Sequence, residues 1–375
     1  MITGSRLSLR SAGTTGVGVL ATRACQRDKP QPSTGSGRQG SHAIRRQHRQ
    51  THRARGRCRC GSRAAGGAAV ATIAAALAQT PRTKGPRVWL DMDQKELDDA
   101  YDQIVYAPNR EQVGKRRIFN SERTRAAIGA PERVAYGPSE IEKLDIYRAK
   151  QANAPVNIFI HGGAWRANRA ADYACLAEPF VKAGAHYVIL DFTNVDDTGG
   201  SLFPMVEQVR RAVAWVYSNA KSFGGDSSRL YLTSHSSGSH IGGCVVTHDW
   251  EKSGLPRDIL RGATLSSGMY DLKPVRLSKR SKYVRFTDEM EEALSAQRHL
   301  DKLHTPLILA HGTYETPEFQ RQTRDFFAAV KAAGKPVELL VGEGYNHFEM
   351  LETLANPYGL LGRAVLAQMR LTAAA

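Results

Sequence analysis

The sequence predicts an α/β fold: a mostly parallel central sheet flanked by helices, with one small cap-like insertion. Three observations predict it. Compact apolar runs of strand length recur along the body of the chain, stretches of helical period separate them, and several runs end in turns rich in Gly, Ser or His. Strands alternating with helices in this way give a parallel sheet with right-handed crossovers, and such sheets bind ligands at the carboxyl ends of their strands.

In chain order, Leu97, Tyr101, Ile104 and Val105 fall at helical spacing, so a helix is expected over Lys95–Tyr106. Arg133–Tyr136 and Leu144–Tyr147 read as short strands joined through Gly137-Pro138, an opening hairpin. Val156–Ile160 and Tyr187–Leu190 are expected as buried strands. Phe203–Phe223 carries Val206, Val209, Val213, Val216 and Tyr217 at helical spacing and stops at Gly224-Gly225, the pattern of an amphipathic helix. Leu230–Leu232 is the next strand and leads through Ser234–Ser239 into a helix at Ile241–His248. Ala263–Leu265, Leu307–Leu309 and Val337–Val341 follow as strands, with helices near Glu318–Ala333 and Met350–Met369. Lys273–Leu303, which holds Arg276, Lys279, Arg280, Lys282 and Arg285, interrupts the alternation as an insertion able to cap a site.

A formal charge of +16 over 375 residues suggests a nucleic-acid binder until its position is read. Residues 1–84 hold 16 Lys/Arg and one acid, Asp28, so the body that follows is nearly neutral and no nucleic-acid partner is expected. Residues 1–82 have no amphipathic period and are expected as a basic low-complexity extension, with 83–375 forming a single domain. The expected compartment is the cytoplasm; if the Arg- and Ser-rich extension is a targeting peptide, it is an organelle or the exterior. No apolar stretch reaches the roughly 18 to 20 residues of a membrane-spanning helix, so no membrane partner is expected. Five cysteines without framework spacing argue against a disulfide scaffold. Cys58-x-Cys60 lacks a second pair at metal-ligand spacing, so no metal is expected either.

The chemistry is concentrated at the ends of the expected strands. Ser234-His235-Ser236-Ser237-Gly238 fits a small-x-Ser-x-small nucleophile elbow, with Ser in place of the first Gly. Centring the pattern on Ser237 puts bulky His235 at a small position, and centring it on Ser234 puts Leu232 there, so Ser236 is the expected nucleophile. His161-Gly162-Gly163-Ala164-Trp165 ends an earlier strand, where Gly162 and Gly163 allow backbone amides to approach an oxyanion. The Ser237 amide, at a helix start, is the expected second donor. His161 is expected to orient the loop. A serine hydroxyl needs a base, and His347 in Gly344–Phe348 follows the last strand; Glu315 in Gly312–Glu315 follows the one before and is the expected acid. Asp271 and Glu318 compete as acids, the first read as a cap or loop residue and the second as a first-turn helix residue. His235 and His240 are five apart, unlike the four of a helical zinc pair, and no phosphate-cradling loop is present, so no cofactor is expected.

From about Asp91 onward the chain resembles the kynurenine formamidase (arylformamidase) branch of the α/β hydrolases. The resemblance rests on the HGGxW and HSxG motifs above, with Ser267–Val275, Glu315–Gln322 and Asn346–Phe348 as later blocks. It implies an α/β-hydrolase fold and hydrolysis of N-formyl-L-kynurenine to L-kynurenine and formate without a cofactor. The small-molecule substrate is the expected partner, and a homodimer is compatible with the sequence. A carboxylesterase of short acyl esters is the alternative, and a catalytically inactive hydrolase-fold binding protein a third. Trp165, Tyr270 and Phe348 adjoin the motifs and are the expected aromatic surface for an aryl group. A basic residue of the Lys273–Arg285 stretch is expected to meet the amino-acid carboxylate.

Overall fold

The structure is a computed structural model that describes residues 82–373. The expectations for the basic extension, Arg82 apart, and for Cys25, Cys58 and Cys60 lie outside those residues. A short antiparallel ribbon of β1 (Arg87–Trp89) and β2 (Met92–Asp93) leads into α1 (Gln94–Ala100), which starts at a capping box formed by Asp93 and Glu96. The helix expected to run on to Tyr106 breaks after α1. The Asp102 side chain accepts the Ile104 amide and so begins a separate turn, α2 (Gln103–Tyr106).

The 19-residue α3 (Arg110–Ile128) has no counterpart in the sequence reading. It buries only Val113, Ser121 and Thr124, so no apolar stripe announces it. Polar anchors hold it instead: the Ser121 hydroxyl donates to the Asp172 carbonyl, and Arg116 pairs with both carboxylate oxygens of Glu352 at 2.9 Å.

The remaining elements are β3 (Glu132–Ala135), β4 (Lys143–Tyr147), β5 (Ala154–Ile160), α4 (Ala177–Lys182), β6 (His186–Leu190), α5 (Phe203–Asn219), β7 (Gly225–His235) and α6 (Ser237–Val246). They continue with β8 (Gly262–Ser266), α7 (Leu272–Leu277), α8 (Asp288–Ala293), β9 (Leu307–Gly312), α9 (Pro317–Ala332), β10 (Val337–Gly342), α10 (His347–Glu352) and α11 (Leu360–Gln368). The single terminal helix expected near Met350–Met369 is thus two. Gly359 caps the second of them.

Eight strands form one sheet in the order β10-β9-β8-β7-β5-β6-β4-β3. All neighbours run parallel except β4 with β6 and the β3–β4 hairpin. Strands β5, β6 and β8 are buried throughout, as strands covered on both faces must be. The chain steps from β5 to β6 and then back across β5 to β7, so the winding reverses between β5 and β7. Register carries this into the site: Ile160 pairs with Ser234, His235 with Ser266, Ser266 with Ala310 and Gly312 with Gly342. The carboxyl ends of these five strands therefore lie near one level, and the loops that follow them meet at the switch point where open α/β sheets bind ligands.

Candidate active site

At the end of β7 the chain turns directly into α6, and the residue between them, Ser236, adopts φ 60° and ψ −129°. A non-glycine residue in that region is strained, and here the surroundings enforce it. The Ser236 amide donates to the Ser266 carbonyl across the sheet at 3.0 Å. Two residues on, a Cβ at Gly238 would lie 2.3 Å from the Ile160 carbonyl and 2.5 Å from that of His161, so α6 can begin this close to β5 only with glycine there.

Ser236 Oγ donates to His347 Nε2 at 2.8 Å, and His347 Nδ1 donates to Glu315 at 2.8 Å. An ionised carboxylate only accepts, so it fixes the proton on Nδ1 and leaves Nε2 free to receive one from the serine. Glu315 is buried. One of its oxygens takes the Gly312 amide and the Ser267 hydroxyl, both at 2.7 Å, and the other takes the imidazole and, at 3.5 Å, the Gln103 side chain. The loops bearing Glu315 and His347 are themselves tied: the Thr313 amide donates to the Gly342 carbonyl, Tyr314 to Tyr345, and Gly344 to the Thr313 hydroxyl. His347 is the first residue of α10, whose start is held by a capping box between Asn346 and Glu349.

The loop after β5 crosses over the serine. A Cβ on Gly162 would come within 2.8 Å of that of Ser236, while Gly163 sits at φ +124°. Among the described residues no acceptor is bonded to the backbone amides of Gly163, Ala164 or Ser237. Ala164 (φ 54°) lines the same cavity and belongs with the candidate donors, although the motif pattern alone did not single it out. His161 stacks on Phe192 with ring centres 4.4 Å apart and bonds through Nδ1 to the Gly162 carbonyl, contacts that hold the loop.

A cavity of about 350 Å³ opens over Ser236 and His347, lined also by Gly162, Gly163 and Phe348. Of the three aromatics expected to meet a ligand, only Phe348 lines this cavity; it packs edge-on against His347. Trp165 is core: its indole N–H donates to His240 Nδ1 at 3.2 Å and it is 3 % exposed. Tyr270 is core as well, stacked on Phe326 with its hydroxyl donating to the Leu265 carbonyl. Adjacency in sequence misled because positive φ at Trp165 and the buried turn after β8 send both rings inward.

The competing acids lie elsewhere. Asp271 caps α7 and pairs with Arg298 at 3.0 Å, and Glu318, in the first turn of α9, is bound by Arg321 and the Tyr101 hydroxyl. The other histidines do not gather around an ion, and among the described residues no group of three or more His, Cys, Asp or Glu is placed to hold one. His235 donates to the His347 carbonyl at 2.8 Å; burial first, and then the His347 charge, push its pKa well below the usual value. Burial lowers His240 to about 4. Both are neutral at pH 7. Sequence reasoning missed Gln103, Asn109 and Arg117, which come from segments without a motif, and gave no role to Ser267, which opens one of the motif blocks; Arg117 lines the cavity and lies 4.4 Å over the Tyr173 ring.

The chain is similar to several known proteins. The family model BD-FAE matches residues 144–255, from β4 past the serine turn. A kynurenine formamidase of Danio rerio is 29 % identical over 291 residues, which is 74 % of this chain and 97 % of that one. A probable isoprenylcysteine alpha-carbonyl methylesterase of Oryza sativa subsp. japonica is 27 % identical over 58 % of this chain and 56 % of its own length. Among solved structures, a putative thioesterase from Silicibacter sp. superposes with a TM-score of 0.63 at 21 % identity, covering 72 % of this chain and 98 % of that one. The fold, the position of the site and these likenesses lead to one conclusion: the chain is an α/β-hydrolase enzyme of formamide or ester substrates, similar to the kynurenine formamidase-like branch.

Proposed function

We propose that the chain is a serine hydrolase that cleaves an aryl formamide, N-formyl-L-kynurenine in the first place, to the free arylamine and formate. The observation that carries the reading is the 2.8 Å contact of Ser236 Oγ with His347 Nε2, continued at 2.8 Å from His347 Nδ1 to a buried Glu315. Ser236 Oγ attacks the formyl carbon while His347 takes its proton. The Gly163 and Ser237 amides, with that of Ala164, receive the oxyanion. Collapse breaks the C–N bond, His347 passes the proton to the departing arylamine nitrogen, and the formyl group remains as an ester on Ser236. Water then attacks the ester carbon as His347 takes its proton, and collapse breaks the bond to Ser236 Oγ, which recovers a proton from His347 as formate leaves. The charge on the imidazolium is held by Glu315 throughout.

The likeness to a kynurenine formamidase along nearly its whole length supports the formamide, and a formyl group, with no acyl chain, suits a carbonyl pressed between Gly162 and Ser236. A second reading, an esterase of short acyl groups, is favoured by the methylesterase likeness and uses the same steps. Steady-state turnover of N-formyl-L-kynurenine and of p-nitrophenyl acetate, each with Ser236→Ala, tests both. The formamide is expected to be preferred in kcat/KM, with Ser236→Ala lowering it by about five to six orders of magnitude. Preference for the ester would transfer the chain to the second reading. Activity retained in Ser236→Ala would end the serine mechanism.

A further inference from the structure

We propose that Arg280 is a specificity residue that binds a carboxylate on the substrate, so that the enzyme selects substrates bearing that carboxylate over those of similar shape without it. The inference rests on the hydrolase reading of the site and adds the charge of the substrate to it.

Arg280 stands in a single 3-10 turn, Lys279–Lys282, inside the cap-like insertion. It lines the cavity over Ser236, yet is only 7 % exposed. Of its five N–H donors two are committed, one to the Tyr283 hydroxyl at 2.8 Å and one to the Tyr101 carbonyl at 3.1 Å, and Nε has no partner. Among the described residues it forms no ion pair. Its guanidinium lies 5.4 Å over the Trp165 ring and 5.9 Å over that of Phe319, which itself packs edge-on against His347 at 5.1 Å.

A desolvated guanidinium with only neutral partners is costly, because two hydrogen bonds and two ring faces return only part of the lost hydration and no bonded carboxylate balances the charge. The other cations of the Lys273–Arg285 stretch do not compete, and Lys273 is exposed. Arg276 is bonded to Asp288 and Glu291, Lys282 and Arg285 are exposed, and Lys279, which does line the cavity, is bonded to Asp102. Asp102 faces the same cavity, but it is engaged by Lys279 and by the Ile104 amide. Arg117 is also without a carboxylate, but it is half-buried and turned onto Tyr173 and Asn168. Arg280 is thus a buried charge without a bonded carboxylate, with free donors at the catalytic cavity. A carboxylate fits it, since a planar anion can take two of its N–H groups at once. The same fork holds the Tyr101 carbonyl, next to Asp102, so cap and ligand share one residue.

The test is a ratio, which is insensitive to how much of a variant is folded. N-formyl-L-kynurenine is compared with N-formylkynuramine, its decarboxylated analogue, in the full chain, Arg280→Met and Arg280→Lys. Phenyl acetate and 3-(4-acetoxyphenyl)propanoate form a parallel ester pair. The native chain is expected to prefer the carboxylate by about 10- to 100-fold in kcat/KM, mostly through KM. Arg280→Met should bring the ratio near one, and Arg280→Lys should fall between. An unchanged ratio in Arg280→Met, or a native ratio near one, overturns the assignment and leaves Arg280 a strut for the Tyr101 turn. If neither formamide is turned over but phenyl acetate is, the formamide reading has failed by itself, and the ester pair decides Arg280 on the same criterion.

Discussion

The hydroxyl of Ser267 donates to the same oxygen of Glu315 that accepts the Gly312 amide, and so leaves the second oxygen turned toward His347. Ser267 follows β8 at φ 58°, and its own amide is fixed to the Ala310 carbonyl at 2.7 Å. The carboxylate is therefore aimed from two strands at once. Ser267→Ala removes one charge-assisted bond while keeping the other, so kcat should fall about 10-fold with KM within about twofold. Steady-state kinetics read the split. A change confined to melting temperature, with kcat intact, would make Ser267 structural only.

Between the two acids that sequence alone left in competition, the burial of Glu315 and the distance of Asp271 give opposite expectations. Glu315→Gln keeps the shape but offers the imidazole a donor as well as an acceptor, and should cost about three to four orders of magnitude in kcat. Asp271→Asn keeps the helix cap, since an amide oxygen accepts the Lys273 N–H as well, and loses only the charge of a half-exposed pair with Arg298, so its kcat should stay within about threefold. Measuring both variants under identical conditions checks the assignment, which would have to be exchanged if their ranking reversed.

Ser234, where the elbow pattern has glycine, is accommodated by a glycine elsewhere. A Cβ on Gly242, one turn into α6, would lie 2.9 Å from Ser234 Oγ and 2.8 Å from a Leu265 methyl, while the Ser234 hydroxyl bonds that of Ser239 at 3.0 Å. Glycine at 242 leaves the space across the strand–helix contact that the Ser234 side chain occupies. Gly242→Ala should destabilise by about 1 to 3 kcal/mol through overpacking. In the Ser234→Gly background the cost should shrink by about 0.5 kcal/mol or more, a coupling that a double-mutant cycle in urea measures. Strict additivity would mean that the two sites adjust independently and that the serine is tolerated for another reason.

What could be read in advance followed from how each feature is encoded. Strands such as Val156–Ile160 and the elbow around Ser236 are local patterns, period and steric size, and the sequence expectations for them agree with the structure to within a few residues. Helix α3 is held by side-chain bonds to distant loops, and no period along Arg110–Ile128 reports that. The same holds within the site. Ser236, Glu315 and His347 lie on loops whose order is the order of the strands, whereas Ser267 and Gln103 matter only because a carboxylate arrives beside them. Trp165 and Tyr270 fail in the opposite direction: proximity in sequence to Gly163 and Gly268 says nothing of the side to which a ring turns.

His240 shows how burial becomes a pH dependence. It accepts the Trp165 indole N–H at Nδ1 and donates through Nε2 to the Leu294 carbonyl, so both nitrogens are satisfied only in the neutral form. Burial lowers its pKa from 6.5 to about 4. Between those values the unfolded chain binds the proton and the folded chain does not, so unfolding takes up a proton and stability falls as the pH drops. Its contribution is whole above pH 6.5 and is lost progressively toward pH 4, at most about 3 kcal/mol for this one group. His248, lowered to about 4 mainly by burial, adds in the same direction. Melting temperature should therefore decline from pH 6.5 to 4, and His240→Gln, which keeps a donor and an acceptor without a titrating ring, should flatten the decline while lowering the value at pH 7. The backbone amide of the same Trp165 donates to Ser237 Oγ at 3.2 Å, so protonation of His240 also pulls on the loop over Ser236. A pH–stability curve with the same slope in His240→Gln as in the native chain would assign the acid loss to other groups.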